Sequence, residues 1–453
     1  MAAVYATTDC HSISVSGTSL ETPLECTTVK ITMVSHSDLD GGAARAATRL
    51  HRDFLARGLD SQMHVTIKRS QTTTVIEPIT QIGRVWSFLR PGLGNALLRL
   101  QKNADKSWRS LALLPSFADR RLLAEKPDVI NLHWIGNETL SVGEVARLAR
   151  RCPLVWTLHD MWPFCGAEHY SEDGTRARWR LGYVQSTRPP SQAGLDIDRW
   201  TWRRKAAAWQ DIPPIHLIAP SRWIAACAAQ SELMRTWPVT VIPNPLDMCR
   251  YWPIPRRTAR QILGLPSDGP ILLFGSIGGS EADRKGWNLL EQALGDLAST
   301  NPDLICLIIG QEQPANPPKF GLPTRWLGML HDDTSLGLVY VAVNVTVVPS
   351  RQDNLPQMAT EAQACGCPVV AFNTCGLPDA VEHLSTGYLA QPFDATDLAY
   401  GIRWILADAE RSARISEAAR LRSKQLWAAD VVIPQHIGAY RQAIHDFSRI
   451  GRP

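Results

Sequence analysis

Short apolar runs, dense in Val, Ile and Leu and without polar alternation, recur along this chain with helix-length segments between them. Residues 29–34, 128–132, 154–158, 216–219 and 239–242 form one series, and residues 271–274, 304–309, 345–348 and 369–372 form a second. A strand that is apolar at successive positions has both faces covered, as in a parallel sheet between helical layers. Two such series predict an α/β chain of two doubly wound domains. The length of 453 residues agrees, since single cores stop growing beyond roughly 250–300 residues. The break falls at Pro243-Asn244-Pro245-Leu246-Asp247 and the proline-rich stretch to Pro255, because proline blocks both helix and central strand.

Charge excludes some partners. Lys+Arg 47 against Asp+Glu 43 leaves a net charge of +4, too weak for nucleic acid to be expected as a partner. No run reaches the ~18 apolar residues of a membrane-crossing helix, and the first 28 residues lack Lys and Arg, so the positive region of a targeting sequence is missing. We expect residues 1–28 to be a mobile, Ser/Thr-rich tail. The ten cysteines are scattered, with Cys365-Gly366-Cys367 the closest pair, a pattern that suits buried thiols in a reducing cytoplasm. Residues 79–126 interleave basic residues with Trp86, Phe88, Leu97, Leu98, Trp108 and Leu111. That pattern fits a basic amphipathic helix able to lie on an anionic membrane surface, and also an ordinary solvated helix face. Residues 170–200, polar and rich in Arg and Trp, read as an excursion over a cleft.

Candidate chemistry clusters where predicted strands end. After Ser350 a polar loop carries Asp353 and Asn354, Leu355 and Pro356 open a helix, Glu361 follows inside it, and Gly366 stops it. Proline is tolerated in a first helical turn and glycine supplies the left-handed stop. The free N–H groups of such a helix start suit phosphate, and Asp353 and Glu361 suit sugar or ribose hydroxyls. Arg284-Lys285-Gly286 follows the glycine-rich loop 275–280 and offers a fork and a point charge for a diphosphate. In the first domain Gly41-Gly42 lies between the opening strand and a helix, where paired glycines permit close approach by a ligand. His159-Asp160 closes another strand, with Trp162, His169 and Tyr170 just beyond it; aromatics there would stack on a sugar face, although Trp162 fits a core position equally well.

These residues resemble the GT-B-fold retaining glycosyltransferases of sequence family four, of the exopolysaccharide and lipopolysaccharide type, and most nearly the colanic-acid galactosyltransferase branch. The resemblance spans roughly residues 29–445. It is carried by Gly41-Gly42-Ala43-Ala44-Arg45, Asn131-Leu132-His133-Trp134, residues 156–164, Ala219-Pro220-Ser221-Arg222-Trp223, Arg284-Lys285-Gly286 and Asp353-Asn354-Leu355-Pro356 through Glu361-Ala362. It implies an acceptor-binding domain over 29–248, a nucleotide-sugar domain over 249–430 and a final helix, 431–453, packing back on the first domain. The family's paired acids appear here as Asp353 and Glu361, the first beside the donor sugar and the second on the ribose. Arg284 and Lys285 would bind the diphosphate, with Ser276 where the family often has an arginine. Gly328, Met329 and Leu330 would face the base, Gly42 would approach the diphosphate, and His159 would reach the transferred sugar. Gly41, Asp160, Asn354, Leu355 and Pro356 complete the expected site. The implied activity is metal-independent hexosyl transfer, without a cofactor, from a nucleotide-sugar donor to a glycan or lipid-linked acceptor. It would take place in the cytoplasm or at the inner face of the plasma membrane. A non-catalytic GT-B partner subunit and a nucleotide-sugar epimerase remain as alternatives.

Overall fold

The computed structural model describes residues 29–78, 80–102, 107–275, 283–330 and 332–450. The expected tail, Ser276 and most of the glycine-rich loop lie outside the described residues. From the amino end the strands are β1 (Ile31–Ser37), β2 (Ser61–Ile67), β3 (Val75–Ile76), β4 (Gln101–Lys102), β5 (Val129–Leu132), β6 (Leu154–Thr157), β7 (Ala193–Gly194), β8 (His216–Ala219) and β9 (Val239–Val241). The second series is β10 (Ile271–Gly275), β11 (Ile305–Ile309), β12 (Thr324–Trp326), β13 (Val345–Val348), β14 (Val369–Phe372) and β15 (Gly387–Ala390).

Seven strands make one sheet in the order β3-β2-β1-β5-β6-β8-β9, and six make another in the order β12-β11-β10-β13-β14-β15. Every pairing in both sheets is parallel. Most of the apolar runs are buried, as β1, β5, β6 and β13 show along their full lengths, whereas β9 at the sheet edge is largely exposed because no strand covers its outer side. Residues 170–200 do not form the expected excursion over the cleft between the two sheets: only Tyr170 lines it, Trp179 and Tyr183 are buried in the first domain's core, and β7 pairs antiparallel with β4 as a small separate ribbon.

Three helices matter below: α1 (Gly42–Ala56), α2 (Gln81–Leu98) and α3 (Ala118–Ala124). The last helix, Ala429–Ile450, lays Val432, Ile433 and Tyr440 against Ile31, Met33 and Phe54 under the first sheet. Tyr440 accepts a hydrogen bond from Asn131 Nδ2 at 2.6 Å there. The chain therefore crosses between the sheets twice. The two crossings touch, since Leu246 N–H donates to the Trp427 carbonyl at 2.8 Å.

Strand order reverses beside β1 in the first sheet and beside β10 in the second. At such switch points the loops leaving the strands diverge and open a crevice at their carboxyl ends. Both crevices open onto one cleft of about 490 Å³ between the sheets. Much of the chain's tryptophan lies away from it: Trp156, Trp162, Trp179, Trp209 and Trp237 are buried in the core beneath the first sheet.

Candidate functional site

The amino-terminal wall of the cleft grows from β1, β5 and β6. Beyond β1 the chain turns through Gly41, whose φ of +90° disfavours a side chain, and enters α1 at Gly42. Both glycines line the cleft, together with His36, Asp40, Trp134, His159 and Asp160. His159 Nε2 lies 3.0 Å from His133 Nδ1, and the two rings stack with centroids 5.3 Å apart. Burial drives His159 down to about 4 and His133 well below the ordinary imidazole range, so both are neutral near pH 7.

Asp160 has no free oxygen. Its Oδ2 accepts from Trp134 Nε1 at 2.7 Å and lies 2.6 Å from His169 Nδ1, while Oδ1 accepts from the Trp162 N–H at 3.0 Å. Burial opposes its ionisation, but His169 and these donors outweigh burial and hold it below the ordinary carboxylate range. The expected binding residue thus orients Trp134 and His169 while lining the cleft.

Three expected residues of the carboxy-terminal wall meet at one end of the cleft. Lys285 Nζ donates to Asp353 Oδ2 at 2.5 Å, and Arg284 Nη1 stands 3.9 Å from the same oxygen. Arg284 also stacks on Tyr170, 4.1 Å from the ring centroid, and donates to the Gln352 carbonyl at 2.7 Å. Lys285 can come this close because Gly286 follows it: φ is +71° there, and a Cβ would overlap the Pro349 carbonyl. Burial opposes the charge on Asp353, but Lys285 and Arg284 lower its pKa below the ordinary range. Asn354 is held elsewhere. It donates through Nδ2 to the Leu158 carbonyl at 2.8 Å and accepts from Ser221 Oγ at 2.6 Å, joining the two walls. Leu355, Pro356, Met329 and Leu330 line the cleft. Gly328 sits just behind them, with its carbonyl accepting from the Gly310 N–H at 2.9 Å.

At the other end, Glu361 lines the cleft but is engaged from across it. Arg49 of α1 donates to Glu361 Oε1 at 2.6 Å, and Tyr340 donates to Oε2 at 2.8 Å. The same Arg49 Nη2 reaches Asp333 Oδ1 at 2.7 Å and the Tyr251 hydroxyl at 2.5 Å. Asp333 also pairs with Arg45 at 2.8 Å and with Arg52 at 3.5 Å. Burial opposes the charge on Arg49, yet Glu361, Tyr251 and Asp333 raise its pKa above the guanidinium norm. Sequence reasoning missed Arg49, Asp333, Tyr251 and Tyr340. One signal was there: Arg45, Arg49 and Arg52 fall at i, i+4 and i+7 on one helix face directly after the glycine pair.

Comparison with known proteins accounts for both walls. Residues 40–250 match the family described as Glycosyltransferase Family 4, and residues 255–422 match the family described as Glycosyl transferases group 1. The chain is 30% identical to 2-deoxystreptamine glucosyltransferase of Streptomyces kanamyceticus over 244 residues, 52% of this chain and 58% of that protein. It is 33% identical to D-inositol 3-phosphate glycosyltransferase of Saccharomonospora viridis over 311 residues, 65% of each. The matched stretch thus spans little more than half of the first of these relatives. In structure it resembles Anabaena HepE in complex with UDP and glucose, with a TM-score of 0.62 at 18% identity, covering 91% of this chain and all of that one. WaaG, a glycosyltransferase involved in lipopolysaccharide biosynthesis, gives a TM-score of 0.57 at 16% identity, over 90% of this chain and 98% of that one. The architecture is the GT-B fold, and the chain belongs to the group 1, family 4 glycosyltransferases.

Proposed function

We propose that the protein transfers a hexosyl group, with retention, from a nucleotide diphosphate sugar to a hydroxyl of a glycan or lipid-linked saccharide. The observation that supports this most is the convergence of Arg284, Lys285, Asp353, Glu361 and the start of α1 on one cleft between the two sheets. In this reading Arg284, Lys285 and the N–H groups after Gly41 hold the diphosphate. Glu361 takes the ribose, Met329 and Leu330 flank the base, and His159 and Asp353 bracket the sugar. The anomeric carbon–oxygen bond to phosphate breaks and the acceptor oxygen bonds to that carbon from the same face. The acceptor proton passes to the departing phosphate oxygen, and the nucleoside diphosphate leaves. Charge developing on that phosphate meets preorganised cations, and each such contact removed typically costs about 3–4 kcal/mol of transition-state stabilisation. No metal is assigned a part in this scheme.

Residues 29–248 would hold the acceptor and residues 249–430 the donor. Among the described residues no helix is long and apolar enough to cross a membrane. Instead α2 exposes Val85, Phe88, Leu89 and Leu93, a face suited to lying on an anionic membrane surface. That placement fits an acceptor carried on lipid and a role in surface polysaccharide synthesis at the inner face of the membrane.

Thermal melts with UDP-, GDP-, ADP- and dTDP-sugars test the donor reading, with Lys285→Ala as the control. The matching donor at 100 times its Kd should add about 2.7 kcal/mol to the wild type and much less to the variant. Release of nucleoside diphosphate should then depend on a saccharide acceptor. Failure of every nucleotide-sugar to stabilise the folded protein would overturn the reading in favour of a non-catalytic partner subunit. Conversion of the donor without any acceptor would replace it with an epimerase.

A further inference from the structure

A second cavity, of about 570 Å³, lies outside the cleft and has no part in the proposed reaction. It sits between β1, β2, α2 and the start of α3, and its size falls in the ~300–1,000 Å³ range of small-ligand sites. Trp86, Phe117 and Leu122 make its walls largely apolar, yet two guanidiniums, Arg90 and Arg121, also line it. Neither has a carboxylate partner among the described residues. Arg90 donates to the Glu138 carbonyl and, at 3.4 Å, to Ser87 Oγ, while Arg121 donates to the Glu77 carbonyl at 3.2 Å.

The nearby acids are already committed. The Glu138 carboxylate accepts from the N–H groups of Leu113 and Leu114 at 2.7 and 2.8 Å. Glu144 accepts from Ser116 and Ser141, and Glu125 holds the His64 ring at 2.9 Å. Burial consequently pulls both guanidiniums below their ordinary range, with those acids offsetting it only in part. Two charges left unpaired in an apolar chamber are costly unless an anion joins them.

We propose that this chamber binds a phosphate-headed amphiphile, with the phosphate between Arg90 and Arg121 and the aliphatic body against Trp86, Phe117 and Leu122. Two guanidinium forks match a phosphate dianion, whereas a carboxylate would occupy only one of them. The far side of α2 supports an aliphatic ligand, because Val85, Phe88, Leu89 and Leu93 are exposed there and could meet a lipid layer. Ser35 of β1 lines both this chamber and the cleft, so a bound head would lie one strand away from the transfer site. The same chemistry could come from a membrane phospholipid or from a single-chain phosphate in solution.

Calorimetric titration of the full chain with n-octyl phosphate tests the proposal, with n-octanol and inorganic phosphate as partial ligands. Octyl phosphate should bind saturably at one site, at least tenfold more tightly than either partial ligand. Arg121→Gln, at the less buried of the two arginines, and Ser87→Phe, which fills the chamber and keeps both charges, should each weaken it at least tenfold in melts that stay cooperative. Equal binding of octanol, or octyl phosphate binding unchanged in both variants, would overturn the proposal. Vesicles of phosphatidylcholine with and without phosphatidic acid separate the sources. Retention only by phosphatidic acid, lost in Arg121→Gln, identifies a phospholipid, and no retention with octyl phosphate still bound identifies a soluble ligand. None of these readings involves a nucleotide, so a failure of the sugar-transfer reading would leave them intact.

Discussion

Asp353 and Glu361 stand eight positions apart in one loop-and-helix unit, both almost fully buried, yet they are neutralised in opposite ways. Asp353 finds its cation in its own half of the molecule, at Lys285. Glu361 finds its cation across the cleft, at Arg49 of α1. Any opening of the cleft leaves the first pair whole and breaks the second. The Asp353 end is therefore a preformed charge site, whereas the Glu361 end reports on closure. A ribose arriving at Glu361 must share a carboxylate that already accepts from Arg49 and Tyr340, which ties occupancy by nucleotide to the contact between the halves.

Removing the cation at the closure end should have the largest effect. Arg49→Leu leaves Glu361 buried with only Arg45 nearby, at 3.7 Å, and Asp333 with Arg45 at 2.8 Å and the more exposed Arg52 at 3.5 Å. Breaking a buried pair from one side typically costs about 3–5 kcal/mol. Equilibrium urea unfolding should show a loss near the lower end of that range, and small-angle scattering should show a larger radius of gyration. A variant as stable and compact as the wild type would erase the distinction between the two ends.

The counterpart at the Asp353 end is Lys285→Ala. Here the expected loss is in rate, about 10²–10³-fold in donor turnover, with the scattering profile unchanged because no contact across the cleft is touched. An opened molecule would show that the Asp353 end also depends on closure.

Acid sharpens the contrast from a third direction. Asp353 and Asp333 are held below the ordinary carboxylate range by their cations, after burial has opposed them. The buried imidazoles His36, His51 and His436 are pulled by burial from 6.5 to about 4. The unfolded chain therefore binds more protons than the folded one between those values, and stability falls as pH drops from about 6.5 towards 4. Each ring contributes up to about 3 kcal/mol to that loss. Melting temperature against pH should decline across this window while Asp353 and Asp333 stay ionised. A decline confined to lower pH would place the acid sensitivity in the carboxylates.

Much of this was legible in the sequence, and the reason is proximity along the chain. Non-alternating runs announce covered parallel strands whatever the partners, so both sheets could be recognised, but β2, β3, β12 and β15, which are short or carry interleaved polar residues, were not legible. Arg284 with Lys285, and Asp353 with Glu361, are close enough in sequence to be recognised as units. Asp333 and Tyr340 share one helix, Asp333–Ala342, and Tyr251 reaches Asp333 within the second half, but Arg49 of α1 joins them only across the cleft. Arg49 viewed alone is one more helix-surface arginine. Asp160 and Asn354 show the converse: both were recognisable as cleft residues, but their partners, Trp134 and His169 for one and Ser221 and Leu158 for the other, are set by folding. Their side chains hold the site together while still lining the cleft.

Ser221→Ala measures how much such holding contributes. The hydroxyl donates to Asn354 Oδ1 at 2.6 Å and also caps the helix that follows by accepting from the Ile224 N–H at 3.2 Å. Replacing a capping serine costs about 1 kcal/mol, and leaving a buried amide oxygen unpaired costs roughly another 1–3 kcal/mol if water cannot reach it. The cleft offers that water, so a total of ~1–2 kcal/mol is expected in urea unfolding, below the loss expected for Arg49→Leu. Asn354 keeps its hold on Leu158, so the halves should remain closed in scattering. Opening caused by this neutral variant alone would mean that Ser221 and Asn354, rather than Arg49 and Glu361, carry the contact across the cleft.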